Sequence, residues 1–209
     1  MKNKKLLSCV LFFVFLNQEL PARMNEDIKK AIEVLNRGGL ILYPTDTVWG
    51  IGCDATNEAA VQKVFELKQR ADSKALLVLI DNPMRLEVYL RTVPEIAWEL
   101  IDVADKPLTI IYDEAKNLAA NLLSEDGSVG IRVTREAFSQ KLCERFRRPI
   151  VSTSANVSGQ PTPSCFSEID PQIVQGVDYV VEYRQDDQTK SKPSSIIRLG
   201  NGGQIQVIR

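Results

Sequence analysis

Short apolar runs alternate with amphipathic helical segments along most of this 209-residue chain. In the first helical segment, Ile28, Ala31, Ile32 and Leu35 share one face, and Asn25 is the predicted N-cap. Continuous apolar runs without polar alternation are typical of strands that are covered on both faces. Strands are therefore predicted over residues 40–43, 75–80, 109–112, 129–133, 150–151, 179–181, 195–199 and 204–208.

The order of these elements predicts the fold class. Further helices are predicted to start at Asn57 and to cover residues 83–90, 94–101 and 136–146, and Gly200–Gly203 joins the last two strands as a hairpin turn. Strands and helices interleave, but the chain ends in a hairpin. We therefore expect a single α/β domain with a mixed parallel and antiparallel sheet. The polar stretches 156–171 and 183–193 are predicted to be mobile loops, which are often functional.

Residues 1–23 differ from the rest of the chain. Lysines precede an apolar run over residues 6–16, which resembles a secretory signal but lacks a clean cleavage site. The run is also shorter than the ~20 residues that a membrane span needs. Met24 follows directly, before the first amphipathic helix. We expect residues 1–23 to be an extension outside the domain, from a mis-assigned start or a signal-like segment, and residues 24–209 to be the catalytic domain.

The composition excludes several kinds of chemistry. The chain has no histidine, which rules out catalytic triads that use imidazole, and its four cysteines are too scattered for a zinc site or a disulfide framework. They are predicted to be reduced and mostly buried. A net charge of −1 argues against a basic coat for nucleic acid. Neither a P-loop nor a dinucleotide-binding glycine motif is present.

Two polar segments are candidates for binding an anion. Lys68, Arg70 and Lys74 lie at a predicted helix end, where they could converge on a polyphosphate or could simply be solvated cations favoured by the helix dipole. Residues 151–159 run from a short apolar strand into four hydroxyl groups and an amide. This second segment is typical either of an anion-binding nest or of an ordinary Ser/Thr-rich turn.

Two further segments place polar groups beside buried strands. The turn after Pro44 puts Asp46 between two threonines, as in a site for an amine or a metal-bound ligand, or as in an ordinary Asx-type turn. Arg132 lies inside an apolar strand, where a charge needs either an acidic partner or an anionic ligand.

Together these segments resemble the YrdC family of threonylcarbamoyl-AMP synthases. The resemblance covers residues 24–209, in the short form of the family with a single YrdC-like domain. It implies a twisted mixed sheet with helices and a concave cationic cleft. Two departures are Leu79, where some members have His, and Trp49, where Tyr is common. The motifs that carry the resemblance are the segment 44–52, Lys68-x-Arg70 with Lys74, Gly130-Ile131-Arg132, the segment 152–159 and Pro193-Ser194-Ser195-Ile196.

The resemblance also implies an activity. Such enzymes join L-threonine, bicarbonate or CO₂, and ATP into threonylcarbamoyl-AMP and release pyrophosphate. A tRNA-modifying transferase complex then uses the product to modify the adenosine beside the anticodon. ATP is expected as a substrate, with Mg²⁺ and without an organic cofactor or a metal site built into the chain. The location expected from this activity is cytoplasmic, without membrane contact.

By matching positions, the resemblance implies roles for single residues. Lys68 and Arg70 resemble catalytic cations that contact the triphosphate. For threonine the contacts are Thr47, Arg132 and Ser194, with Ser195 as an alternative to Ser194. For ATP they are Arg70, Lys74, Ser128, Ser152, Ser154, Thr162 and Arg209.

A different class of function is binding of double-stranded RNA or tRNA without catalysis. The chain offers a basic stretch for this in Arg132, Arg135, Lys141, Arg145, Arg147 and Arg148. The remainder of the chain is net acidic, and no aromatic stacking platform is evident in the sequence. Salt dependence would separate the two classes, since a binder of phosphate backbones loses affinity steeply with salt.

Overall fold

The computed structural model describes residues 22–69, 76–190, 193–200 and 202–209. In that part of the chain a nine-stranded sheet is formed, with helices packed around it. The helices are α1 (22–36), α2 (Glu58–Lys68), α3 (Leu86–Tyr89), α4 (Glu95–Val103), α5 (Ala137–Phe146) and α6 (Pro171–Gln175). The strands are β1 (Ile41–Tyr43), β2 (Gly50–Gly52), β3 (Leu77–Ile80), β4 (Leu108–Tyr112), β5 (Val129–Val133), β6 (Ile150–Ser154), β7 (Tyr179–Val180), β8 (Ser195–Leu199) and β9 (Ile205–Val207). Short 3₁₀ turns cover Pro83–Arg85, Ala120–Leu122 and Phe166–Glu168.

The sheet mixes both strand directions, which confirms the predicted α/β class. Its order is β7-β1-β2-β6-β3-β5-β4-β8-β9. The pairs β1/β7, β3/β5 and β4/β8 are parallel, and the other neighbouring pairs are antiparallel. The final pair, β8 and β9, is the predicted antiparallel hairpin.

Local sequence signals explain where several helices begin and end. The side chain of Asn57 accepts a hydrogen bond from Ala60 N–H at 3.1 Å, so this residue caps α2 as predicted. In α2, the side chains of Val61, Val64, Phe65 and Lys68 are buried. Gly38 follows α1 with φ +70°, in the left-handed region that glycine adopts without strain. Glu136 caps α5 through a bond from Ser139 N–H at 2.7 Å.

Three predictions about element boundaries were wrong. Asn25 is not an N-cap, because α1 already covers residue 22 and Asn25 lies within it. β6 does not stop at Val151 but continues to Ser154, because its hydroxyl-bearing residues pair with β2 and β3. No strand was predicted after the turn that follows Pro44, but β2 begins there at Gly50 and pairs with β1 and β6.

The core consists of apolar side chains from the sheet and from one face of each principal helix. Alternation along the strands decides which residues enter it. In β5, Val129 and Ile131 are buried in the core, whereas Gly130 and Arg132 line a cavity. The cysteines that the structure describes, Cys53, Cys143 and Cys165, are buried and free, which confirms the prediction for these three.

Candidate active site

A cavity of about 730 Å³ lies across one face of the sheet. This volume is in the range of ordinary small-molecule sites. Alternate residues of β4, β5, β6 and β8, and of the positions just before β5 and β8, line it, because residues two apart in a strand point to the same face. Thr153 of β6 lines it as well. The alternating sets are Thr109 and Ile111; Ser128, Gly130 and Arg132; Ser152 and Ser154; and Ser194, Ile196 and Arg198.

All three residues of the predicted threonine set line this cavity. Arg132 is 2% exposed, and its Nη1 donates to Oγ1 of Thr47 at 3.3 Å. Ser194 is buried, and its hydroxyl lies 2.9 Å from that of Thr109. Ser195 is exposed and lies outside the cavity lining, so the structure places Ser194 rather than its neighbour in the cavity.

Arg132 also has an acidic partner. Its Nη2 lies 3.2 Å from Oδ1 of Asp46, so the predicted acidic partner is present. Arg132 also lines the cavity, and the anionic ligand stays a prediction. Burial raises the pKa of Asp46, and the nearby guanidinium opposes that increase. Nε of Arg132 is buried without a hydrogen-bond partner among the described residues.

The predicted nucleotide contacts that the structure describes lie on the same cavity. They are Ser128, Ser152, Ser154, Thr162 and Arg209. Strand pairing places Ser152 opposite Leu77 and Ser154 opposite Gly50, which aligns the hydroxyl-rich segment along the cavity floor. Arg209 reaches it from the end of the final hairpin, where its Nε donates to the carbonyl of Ser194 at 3.2 Å.

Lys68 is not a solvated cation at a helix end. It is 2% exposed and lies outside the cavity lining. Its ammonium group donates to the carbonyl of Ser154 and, at 2.6 Å, to that of Asn156. Lys68 therefore fastens α2 to the segment that follows β6, directly behind the cavity wall. Arg70 and Lys74 lie outside the described residues.

Sequence reasoning missed one charged cluster at the cavity. Arg198 pairs with Asp113 at 2.8 Å and with Asp126 at 2.7 Å, and Asp126 accepts from the hydroxyl of Ser128 at 2.6 Å. These bonds lower the pKa of Asp126 to about 2. The sequence could have revealed this cluster. Ser194, Ile196 and Arg198 alternate along the chain, which places Arg198 on the same face as the predicted Ser194.

The predicted basic stretch does not form one continuous surface. Arg132 is buried in the cavity wall, and Arg135 donates to the carbonyls of Ala104 and Ile101 at 2.9 and 2.7 Å. Arg148 pairs with Asp54 and lies over the ring of Phe146, with its guanidinium carbon 4.2 Å from the ring centroid.

Within residues 22–69, 76–190, 193–200 and 202–209, no group of three His, Cys, Asp or Glu side chains could hold a metal ion. No helix in the same part of the chain is long and apolar enough to cross a bilayer.

The sequence and the fold match those of the Sua5/YciO/YrdC family. The family model, described as "Telomere recombination", matches residues 33–209. The chain belongs to this family.

Relatives and solved structures agree with that assignment. A threonylcarbamoyl-AMP synthase of Pseudoalteromonas translucida is 34% identical over 178 residues, which is 84% of this chain and 94% of the relative. A putative threonylcarbamoyl-AMP synthase of Methanocaldococcus jannaschii is 35% identical over 185 residues, covering 88% and 84%. The crystal structure of P. abyssi Sua5 complexed with L-threonine superposes with a TM-score of 0.78 at 26% identity, covering 87% of this chain. This chain spans about half the length of that protein, 53%. E. coli YciO superposes with a TM-score of 0.75 at 26% identity, covering 87% of both chains.

Proposed function

We propose that this protein is a threonylcarbamoyl-AMP synthase, which joins L-threonine, bicarbonate or CO₂, and ATP and releases pyrophosphate. One observation carries the proposal. The residues predicted to contact the amino acid and those predicted to contact the nucleotide come from distant parts of the sequence, and the structure brings both described sets to the same cavity. Relatives that match most of the chain bear the same activity in their names.

The amino-acid end of the cavity is assigned to Thr47, Arg132 and Ser194. A guanidinium can bind a carboxylate through two parallel hydrogen bonds, and the hydroxyls of the other two residues can orient the rest of a small polar ligand. The threonine amine must be unprotonated to attack the carbon of CO₂. A new N–C bond then forms, and the amine proton leaves to give a carbamate.

The nucleotide end is assigned to the cavity hydroxyls and to Arg209, with Arg70 and Lys74 at the triphosphate. A carbamate oxygen attacks the α-phosphorus of ATP, the bond from that phosphorus to the bridging oxygen breaks, and pyrophosphate leaves with the electron pair. Such a step needs positioning and compensation of negative charge rather than a side-chain nucleophile. The absence of histidine from the whole sequence is compatible with this chemistry. Lys68 contributes by fixing the carbonyls of the segment after β6.

The product is an activated acyl adenylate, so a second enzyme must consume it. We propose a cytoplasmic role in tRNA modification, in which a transferase complex passes the threonylcarbamoyl group to an adenosine of tRNA. Direct contact between this chain and tRNA is a separate prediction, which the exposed residues of the basic stretch would serve.

The proposal is tested by measuring pyrophosphate release from the full chain with ATP, Mg²⁺, L-threonine and bicarbonate. Release should require all three substrates, and the adenylate product should carry label from both [¹⁴C]bicarbonate and threonine. Pyrophosphate release that is independent of threonine would contradict the proposal.

Arg132→Lys tests the assignment of the carboxylate site. The substitution keeps the charge and removes the planar fork. Because the fork is lost only at the threonine end, we expect the threonine KM to rise at least tenfold while the ATP KM changes little. A tenfold rise corresponds to ~1.4 kcal/mol of binding free energy. Equal weakening of both substrates would show that Arg132 only stabilises the fold.

A further inference from the structure

The Arg132–Asp46 ion pair lies between two cavities. Arg132 lines the large cavity described above. Asp46 is not part of that lining among the described residues and instead lines a second cavity of about 400 Å³. Oδ1 of Asp46 and Nη2 of Arg132 are 3.2 Å apart, with side chains that are 13% and 3% exposed. The carboxylate therefore faces the guanidinium from behind the wall of the proposed active site.

Arg132 depends on this carboxylate for its charge balance. In the described part of the chain, Asp46 is the one acidic side chain that forms an ion pair with it. The other polar contact of the guanidinium is the 3.3 Å hydrogen bond from Nη1 to Thr47, and Nε has no hydrogen-bond partner there. A buried charge without a compensating partner is costly, so the carboxylate determines where the guanidinium can rest.

The turn before β2 holds Asp46 in place. Oγ1 of Thr45 accepts a hydrogen bond from the backbone N–H of Thr47 at 3.1 Å and donates to the carbonyl of Val48 at 2.7 Å. These two bonds close the turn around Asp46. The carboxylate of Asp46 and the hydroxyl of Thr47 therefore approach the guanidinium from one hydrogen-bonded turn.

We infer that Asp46 is a positioning residue, which holds Arg132 so that its remaining donors face the carboxylate of the amino-acid substrate. The inference rests on the proposed function, since it assumes that this substrate is an α-amino acid bound at Arg132. The raised pKa of Asp46, which Arg132 opposes, supports an electrostatic coupling between the two side chains.

The test compares binding of L-threonine and of L-threoninamide, which lacks the carboxylate, by isothermal titration calorimetry. Asp46→Asn keeps the size of the side chain and removes its charge. We expect the threonine Kd to rise by at least about tenfold, since the substitution leaves the buried guanidinium without its ion-pair partner. The threoninamide Kd should change much less, so the preference for the carboxylate falls. A purely structural role would weaken both ligands, and ATP, equally.

Asp54→Asn is the matched control. Asp54 is also a buried carboxylate paired with an arginine, Arg148, but neither residue lines the cavity. Its substitution should lower the thermal midpoint and leave the threonine Kd unchanged.

The outcomes separate this inference from the proposed function. Unchanged threonine binding in Arg132→Lys would refute the assignment of the substrate carboxylate to Arg132. If Arg132→Lys weakens threonine binding but Asp46→Asn does not, only the positioning role of Asp46 is overturned. Should Asp46→Asn fail to fold, Asp46→Glu keeps the charge but lengthens the side chain by one methylene. Asp46→Glu should then weaken threonine binding while leaving ATP binding intact. An unchanged threonine Kd in that variant would overturn the inference.

Discussion

Replacing Lys68 with methionine should destabilise the fold far more than removal of an ordinary cation at a helix end. Such a cation contributes only ~0.3–1 kcal/mol through the helix dipole. The ammonium of Lys68 instead donates to two backbone carbonyls, those of Ser154 and Asn156. The carbonyl of Ser154 keeps a second donor, the backbone N–H of Asn156 at 2.9 Å.

The expected magnitude follows from these contacts. The carbonyl of Asn156 would lose the donor that Lys68 supplies, which costs ~1–3 kcal/mol for a buried carbonyl. The carbonyl of Ser154 would lose one of its two hydrogen bonds, which costs ~0.5–1.5 kcal/mol. Lys68→Met should therefore lower the free energy of unfolding by roughly 2–4 kcal/mol. Methionine fills a similar volume, so little of this loss should come from a cavity.

Urea denaturation followed by tryptophan fluorescence measures this difference, with pyrophosphate release measured on the same samples. Lys63→Met is the matched control, because Lys63 lies on the same helix, is exposed and donates to a single carbonyl, that of Gly38 at 2.8 Å. The control should lose at most ~1 kcal/mol. If Lys68→Met is as stable as the control and yet inactive, Lys68 acts on the substrate and not on the segment after β6.

Two other perturbations have defined outcomes. Hydrogen bonds from Ser128 and Arg198 lower the pKa of Asp126 from 3.8 to about 2. The ionised carboxylate therefore stabilises the folded state above about pH 4. This contribution to the free energy of unfolding disappears as the pH falls through about 2. The difference in unfolding free energy between the wild type and Asp126→Asn should accordingly be larger at pH 6 than at pH 2.5, and a constant difference would contradict the assignment. Deletion of residues 1–23 should leave the thermal midpoint within a few degrees of the full chain and leave turnover intact; an inactive or strongly destabilised 24–209 protein would show that the extension belongs to the domain.

Elements with a strong local pattern could be predicted from the sequence. Strand β5 was predicted with the bounds that it has, because the apolar residues Val129, Ile131 and Val133 recur at every second position. The cap at Asn57 was recognised because the capping side chain and the helix it serves are adjacent in the chain. Strand β2 was missed because it is three residues long and two of them are glycines, so its identity as a strand depends on its partners β1 and β6.

The same distinction applies to the candidate site. Which hydroxyl faces the cavity, Ser194 or Ser195, depends on the register between β4 and β8, which pairs Ser195 with Leu108. The ion pair between Asp46 and Arg132 joins two motifs that the sequence marked separately. Their pairing depends on tertiary structure, as does the burial of Lys68. Local signals identified the residue types that matter, and the order of the strands determined which of them meet.

The long sequence distances between partners have a consequence for how the protein is made. The hydrogen bonds between Thr47 and Arg132 and between Thr109 and Ser194 each close a loop of 85 residues, and the bond between Lys68 and Ser154 closes one of 86. Pairings of this range form late, because the entropy of closing the loop must be overcome first. Arg209 reaches the cavity from the hairpin that follows all of these segments. During synthesis the cavity therefore stays incomplete until β9 and Arg209 have left the ribosome.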